Sequence, residues 1–366
     1  MAEKEKVIRV SVKELTDFCV QALTKLGMSK NDAKTTADVL VTTDQMGVYT
    51  HGTKALWGYI KRIKAGGLVV DAVPSVVREG SSWAIVDGHS AIGMVTSAFA
   101  MNTAIAKAKT AGMAYVGVQN SCHFGAAGYY ANLAAKAGMI GMAMANDIPS
   151  MAVPGSRKAV MGTNPFAYAA PTGGEDTIFL DIASSVVAGG KIRYFQAQNK
   201  NVPDNWLVDA DGVPTNDPFV YPLQGSILPF AGHKGYGISI MNEIFAGILS
   251  GAGSRYGILS WLDHDPTQPT LHGAAFIVID VEQIMPRKTF LERMDKMVRD
   301  IRESPKAKGS NRIYLPGEME WEKYHDARKR GILLPEDVME SLREAAEMTQ
   351  SSDVDFPGYV GKKTKG

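Results

Sequence analysis

Cysteine is scarce. Cys19 and Cys122 are the only two in 366 residues, too few for a disulfide framework, which suits a reducing, cytoplasmic compartment. An excess of either charge is also missing. Lys and Arg number 39 against 38 Asp and Glu, a net +1. Without such a field, neither nucleic acid nor an anionic membrane is expected as a partner. Long apolar runs are absent too. The longest weakly polar stretch, Ala91 to Ala106, contains Thr96, Ser97, Asn102 and Thr103. It falls short of the ~18 residues of a spanning helix. The start, MAEKEKVIRV, has no apolar core and no small-residue cleavage site, so it does not read as a signal peptide. Metal-ligand spacing is missing as well. His51, His89, His123, His233, His264, His272 and His325 form no H-x-H or H-E-x-x-H, and neither Cys lies in C-x-x-C. No metal is therefore expected. A Rossmann fingerprint is lacking: Gly251, Gly253 and Gly257 have the wrong spacing and follow a helix rather than a strand.

What is present describes a folded chain. Apolar residues make up 45% and charged residues 21%, enough to bury a core, so disorder is excluded. The length predicts two or three domains. Ser11 with Glu14 has capping-box spacing ahead of Leu15, Phe18, Val20 and Leu23, so a helix starts there and stops at Gly27. A second helix runs from Ser29 to Gly47, and a third from Thr53 to Ala65. SVVREG and SWAIVDGH read as a hairpin. Next comes a twofold helix–Gly–strand unit. Ala111-Gly112-Met113 recurs as Ala137-Gly138-Met139, and the two strands end at Asn120 and Asn146. Such alternation predicts an α/β layer. The strand DTIFLDIA leads to a helix from about Ser184, and a turn-rich surface excursion spans Pro203 to Pro229. A helix is expected over 238–249, a strand over 274–281, and amphipathic helices over 286–303 and 334–348. The tail SSDVDFPGYVGKKTKG reads as a poorly ordered arm.

Several stretches can carry chemistry. Asn120-Ser121-Cys122-His123-Phe124-Gly125 sits at a strand end, where α/β sheets place ligands. His123 there serves either as an acid/base or as a hydrogen-bonded residue at a helix start. Thr50-His51-Gly52 offers the same choice, since Thr50 suits an N-cap. The loop Gly232-His233-Lys234-Gly235-Tyr236-Gly237 suits either a phosphate or an ordinary helix start. Asn164 lies in a polar turn, and Asp181 with Ser184 and Ser185 closes a strand, where capping and ribose binding fit equally well.

In order along the chain, these pieces resemble the malate/L-lactate dehydrogenase superfamily that lacks a Rossmann fold. Its members include malate, sulfolactate and ureidoglycolate dehydrogenases, with diketogulonate and piperideine-2-carboxylate reductases. The matching motifs are THG (50–52) with Tyr59 and Gly66-Gly67, then NSCHFGAAGYY, MGTNPFAYAAP, LDIASSVVAGGK, LPFAGHKGYG and YLPGEMEW. The resemblance spans about 9 to 345. It implies an α/β (α+β) fold with a mostly antiparallel cofactor-binding sheet and a largely helical domain built from both chain ends. The corresponding boundaries are 1–75 and 301–366 for the helical domain and 76–300 for the central one. It further implies a cytoplasmic homodimer that uses NAD or NADP, with NAD favoured, to interconvert a 2-oxo and a 2-hydroxy acid. Reduction of a cyclic imine acid and a non-catalytic descendant are the alternatives.

Carried over by motif, His123 and His51 are the acid/base candidates. Asp181, Ser184, Ser185, Lys234, Gly235, Gly317 and Glu318 match cofactor contacts. One departure stands out. Many members carry an Arg three residues after the SHG glycine, and that position here is Ala55. Thr50, Lys54, Tyr59 and Asn164 are then the expected substrate contacts, with Tyr59 one helical turn beyond Ala55.

Overall fold

The computed structural model describes residues 7–174 and 176–350. The tail 351–366 lies outside the described residues. The two ends of the described chain meet. Strand β1 (Val7–Val10) pairs antiparallel with β14 (Ile332–Pro335), and the Arg9 guanidinium donates to the carbonyls of Arg330 and Gly331. Helix α1 (Val12–Lys25) opens on the expected capping box, with Ser11 Oγ accepting from Glu14 N and Glu14 receiving Ser11 N. Leu15, Phe18, Cys19, Ala22 and Leu23 form its buried face. Helix α2 (Lys30–Gln45) is capped by Ser29. A 3₁₀ turn at Thr53–Ala55 leads to α3 (Leu56–Ala65), on which α11 (Glu336–Met348) packs.

The central sheet has seven strands in the order β2 (Ser75–Glu79), β3 (Trp83–Asp87), β4 (Met113–Ser121), β13 (His272–Ile279), β5 (Ile140–Ala145), β8 (Phe166–Ala170), β9 (Ile178–Ile182). Only the β3–β4 pair is parallel; the others are antiparallel. This is the expected non-Rossmann, mostly antiparallel sheet. The sequence repeat has a spatial meaning. Helix α4 (Gly93–Ala111) feeds β4 and α5 (Ala127–Lys136) feeds β5, and these two strands flank β13 on either side. Their carboxyl ends therefore lie side by side. There the chain presents His123 after β4 and Asp147 after β5.

Three stretches depart from expectation. No helix begins at Ser184. Its N–H donates to Thr163 O, its carbonyl accepts from Phe230 N, and Ser185 bridges to Pro229. Backbone pairing holds this segment extended until α6 (Gly189–Ala197). The turn-rich excursion contributes to a second sheet, β11 (Pro214–Thr215), β10 (Leu207–Val208), β12 (Ser226–Ile227), β6 (Met151–Ala152) and β7 (Ala159–Met161), in that order. Leu207 and Ile227 are fully buried within it. Helix α7 (His233–Glu243) starts five residues before the predicted 238 and continues as a wide π turn over Ile244–Ile248. Helices α8 (Val281–Ile284) and α9 (Arg287–Arg302) follow β13, and α10 (Glu318–Arg330) was not read from the sequence. No helix among the described residues is long and apolar enough to cross a membrane.

Candidate active site

A cavity of about 310 Å³ lies where β4, β5 and β13 end, closed by the turn after α2, the start of α5 and the start of α10. His51, His123, Asp147 and His272 converge in it. The His51 and His123 ring centroids are 5.5 Å apart. His272 Nε2 lies 3.2 Å from Asp147 Oδ1.

His51 is placed by a buried polar turn. Asp44, on α2, is fully buried and accepts both the N–H and the hydroxyl of Thr53, at 3.1 and 2.5 Å. A Cβ on Gly52 would fall 1.8 Å from Asp44 Oδ1, so the residue after His51 must be glycine. Burial pushes the Asp44 carboxyl up to about 7, against the help of its two Thr53 hydrogen bonds. A raised acid penalises the fold only when charged. Stability from this group is greatest below pH 4, falls as pH rises towards 7, and levels off above it. The difference in unfolding free energy between wild type and Asp44→Asn should therefore change by several kcal/mol between pH 4 and pH 7. Parallel stability–pH curves would show that Asp44 does not ionise in this range.

His123 is held by an aromatic stack. Its Nδ1 lies 2.5 Å from the Tyr59 hydroxyl. Its ring stacks on Trp261 at 4.5 Å, and Tyr59 stacks on the same indole at 4.9 Å. With Nδ1 taken by Tyr59, Nε2 is the nitrogen left for the cavity. A hydroxyl both donates and accepts, so one contact serves the neutral ring and the imidazolium. Burial, with the charges of His51 and His272, pushes His123 down to about 3 against the attraction of Asp147. Burial also lowers His51, which Asp147 partly offsets. For Asp147 itself burial alone would raise the carboxyl. The hydrogen bond and charge of His272, the charge of His123 and the Ile148 N–H more than reverse this, so it stays ionised. The Asp147 backbone is fixed in turn by Asn164 Oδ1, which accepts its N–H at 2.9 Å.

The expected substrate contacts separate. Thr50 lines the cavity, with its hydroxyl 2.9 Å from His51 Nδ1. Lys54 points away and pairs with Asp337 on α11 at 2.6 Å. Ala55 is buried in the core, so an Arg at this position would have no room to reach the cavity. The Tyr59 hydroxyl is taken up by His123. Asn164 is fully buried and holds Asp147, Glu243 and the Ser239 carbonyl.

Of the expected cofactor contacts, Asp181 and Gly317 line the cavity, and Asp181 Oδ2 receives the Gly128 N–H at the start of α5. The Ser184 and Ser185 hydroxyls are buried and donate to the carbonyls of Thr163 and Val187. Gly235 lets α7 approach the Phe230 and Ser184 carbonyls, each of which would lie 2.5 Å from a Cβ. Lys234 is exposed beside it. Glu318 is drawn into ion pairs with Arg302 and Arg312, leaving Glu320 to face the cavity.

Asp147, His272 and Trp261 were not singled out from the sequence. The signal for Asp147 was available, because it follows Asn146 at the strand end equivalent to Asn120. No sequence pattern marks Trp261.

An enclosed cavity with convergent imidazoles around an ionised carboxylate is an enzyme site suited to moving protons. The chain belongs to the malate/L-lactate dehydrogenase family, whose pattern matches residues 10–343; it is an oxidoreductase. It is 38% identical to a malate dehydrogenase from Pyrococcus horikoshii, over 94% of this chain and 96% of that one. It is 31% identical to the NAD(+) ureidoglycolate dehydrogenase of Escherichia coli K12, over 96% and 99%. A solved structure of malate dehydrogenase from Pyrococcus horikoshii OT3 superposes with a TM-score of 0.85 at 36% identity, covering 95% of this chain and 99% of that one.

Proposed function

We propose that the protein is an NAD(P)-dependent dehydrogenase that interconverts a small 2-hydroxy acid and its 2-oxo acid, with His123 as acid/base. The observation that carries this is the His51–His123–Asp147–His272 cluster within one cavity. The cavity suits a nicotinamide nucleotide. Two buried polar atoms on its wall, Ser121 Oγ and His272 Nδ1, have no partner among the described residues. The first turns of α5 and α10 line its other side. When bound, the cofactor supplies or accepts the hydride. His123 Nε2 takes the hydroxyl proton during oxidation and returns it during reduction, with Asp147 as the counter-charge that favours the imidazolium. Asp181, Gly317 and Glu320 are proposed to face the cofactor. The acids there, without Lys or Arg among the described lining, support NAD over NADP, because a 2′-phosphate would meet no cation. Lys234 is proposed to meet cofactor phosphate from its exposed place beside Gly235.

The lining has another consequence. With no Lys or Arg among its described residues, a substrate carboxylate can be neutralised only by an imidazolium of the cluster. We assign this role to His51, with the Thr50 hydroxyl beside it. Anion binding favours protonated His51, so substrate affinity is greatest at low pH. KM should rise about tenfold per pH unit once the pH passes the free His51 value, until the bound form also deprotonates. In His51→Gln that rise should largely vanish, and an unchanged KM–pH curve would reject the assignment.

A homodimer is also proposed. It is supported by the exposed apolar side chains of Trp83, Met113, Ile248 and Leu249 on and beside the sheet. The activity is tested by fluorescence titration with NADH and NADPH, then turnover of malate, lactate, sulfolactate, ureidoglycolate and a cyclic imine acid. Cofactor binding without turnover of any hydroxy or oxo acid would overturn the reading.

A further inference from the structure

The two unpartnered polar atoms on the cavity wall are neighbours. His272 on β13 stands opposite Ser121 on β4 in the antiparallel register. Cross-strand partners of this kind carry their side chains ~5 Å apart on one face. Both residues are almost fully buried, at 2% and 4% exposure. Buried polar groups are nearly always hydrogen-bonded, so two adjacent orphans facing one cavity mark a place made for a ligand.

The chemistry of the pair is specific. The Asp147 carboxylate is ionised and can only accept, so the proton of neutral His272 sits on Nε2, facing it. Nδ1 then offers a lone pair to the cavity. The Ser121 hydroxyl beside it can donate. An acceptor next to a donor complements a primary amide, whose NH₂ donates while its carbonyl accepts. It does not complement a carboxylate, which the Nδ1 lone pair would repel. That separates this spot from the anion position at His51.

We propose that His272 and Ser121 seat the carboxamide of the nicotinamide ring: NH₂ to His272 Nδ1, carbonyl from Ser121 Oγ. This rests on the nicotinamide reading above. The carboxamide is attached to the ring carbon next to the one that exchanges hydride. Whatever holds it must lie beside the acid/base group, and Ser121 is two residues before His123. Asp147 then has two tasks: it is the counter-charge for His123, and it sets the His272 tautomer that makes Nδ1 an acceptor.

The test is equilibrium binding, followed by the fluorescence of the reduced dinucleotide. The probes are NADH and its 3-acetylpyridine analogue, in which a methyl replaces the NH₂ and the carbonyl is kept. Wild type should bind NADH roughly fivefold or more tighter, since the analogue leaves His272 Nδ1 buried and unpaired. His272→Leu should erase that preference by weakening NADH alone. Ser121→Ala, a small change that spares the fold, should weaken both dinucleotides alike and keep the preference. Equal affinities in wild type, or a preference that survives in His272→Leu, would overturn the proposal. So would Ser121→Ala binding both dinucleotides as tightly as wild type. If wild type binds neither dinucleotide, nor NADPH, the nicotinamide reading itself fails, and this proposal falls with it.

Discussion

His123→Ala should lower kcat by about 10²–10⁴-fold, the range a positioned acid/base contributes, while leaving the Kd for the dinucleotide within about threefold of wild type. The expectation rests on three contacts. Tyr59 occupies Nδ1 at 2.5 Å, Trp261 stacks on the ring at 4.5 Å, and Asp147 lies close enough to act on its charge. All three orient or tune one imidazole, and none is needed to bind a dinucleotide. In the free protein burial holds this ring near 3, far below the pH at which it would exchange protons efficiently. An anionic substrate beside it favours the imidazolium and moves its titration towards neutrality. The acidic limb of the kcat profile should therefore sit well above pH 3, and the limb for kcat/KM lower. A variant that keeps kcat within a few-fold of wild type would transfer the role to His51.

How much of this was legible in the sequence follows from the range of the interactions. Local signals carried well. The capping box at Ser11, the Gly stops after α1 and α2, the β2–β3 hairpin and the repeated helix–Gly–strand unit each depend on a few neighbouring residues, and each is present. His51 and His123 were readable because both sit in short turns at element ends. Signals that depend on tertiary pairing did not carry. Ser184 and Ser185 look like a helix start, yet their backbone groups are claimed by Thr163, Phe230 and Pro229. Lys54 and Ala55 precede a helix that looks amphipathic, but only the fold shows Lys54 turned to Asp337 and Ala55 turned to the core. Tyr59 was placed on the right helix and given the wrong neighbour, because sequence spacing fixes a face and not what the face meets. Asp147 and His272 are 125 residues apart, and only the β13–β5 pairing joins them. Trp261 lies in a loop without regular structure, and its position depends on a buried arginine.

That arginine, Arg62 on α3, makes the second large prediction. It is 1% exposed, an unusual place for a cation, and no carboxylate among the described residues pairs with it. Instead its guanidinium donates to the carbonyls of Trp261 at 2.6 Å, Gln268 at 2.8 Å and Ser260 at 2.8 Å. These carbonyls belong to one loop, and the planar fork of donors fixes its path over α3. Trp261, so held, packs against both Tyr59 and His123. Arg62→Met keeps much of the volume but leaves three carbonyls without donors. Each orphan costs ~1–3 kcal/mol, less where water enters, so the variant should lose about 3–5 kcal/mol of stability. Arg62→Lys should recover less than half of this, because an ammonium cannot meet three carbonyls in one plane. The loss has a second, local signature. If the loop lifts, the indole leaves His123, so Trp261 fluorescence should shift to the red and kcat should fall even at temperatures where the variant remains folded. A variant that melts with wild type and keeps its emission spectrum would show that the loop is held by other contacts and that Arg62 does not position the acid/base group.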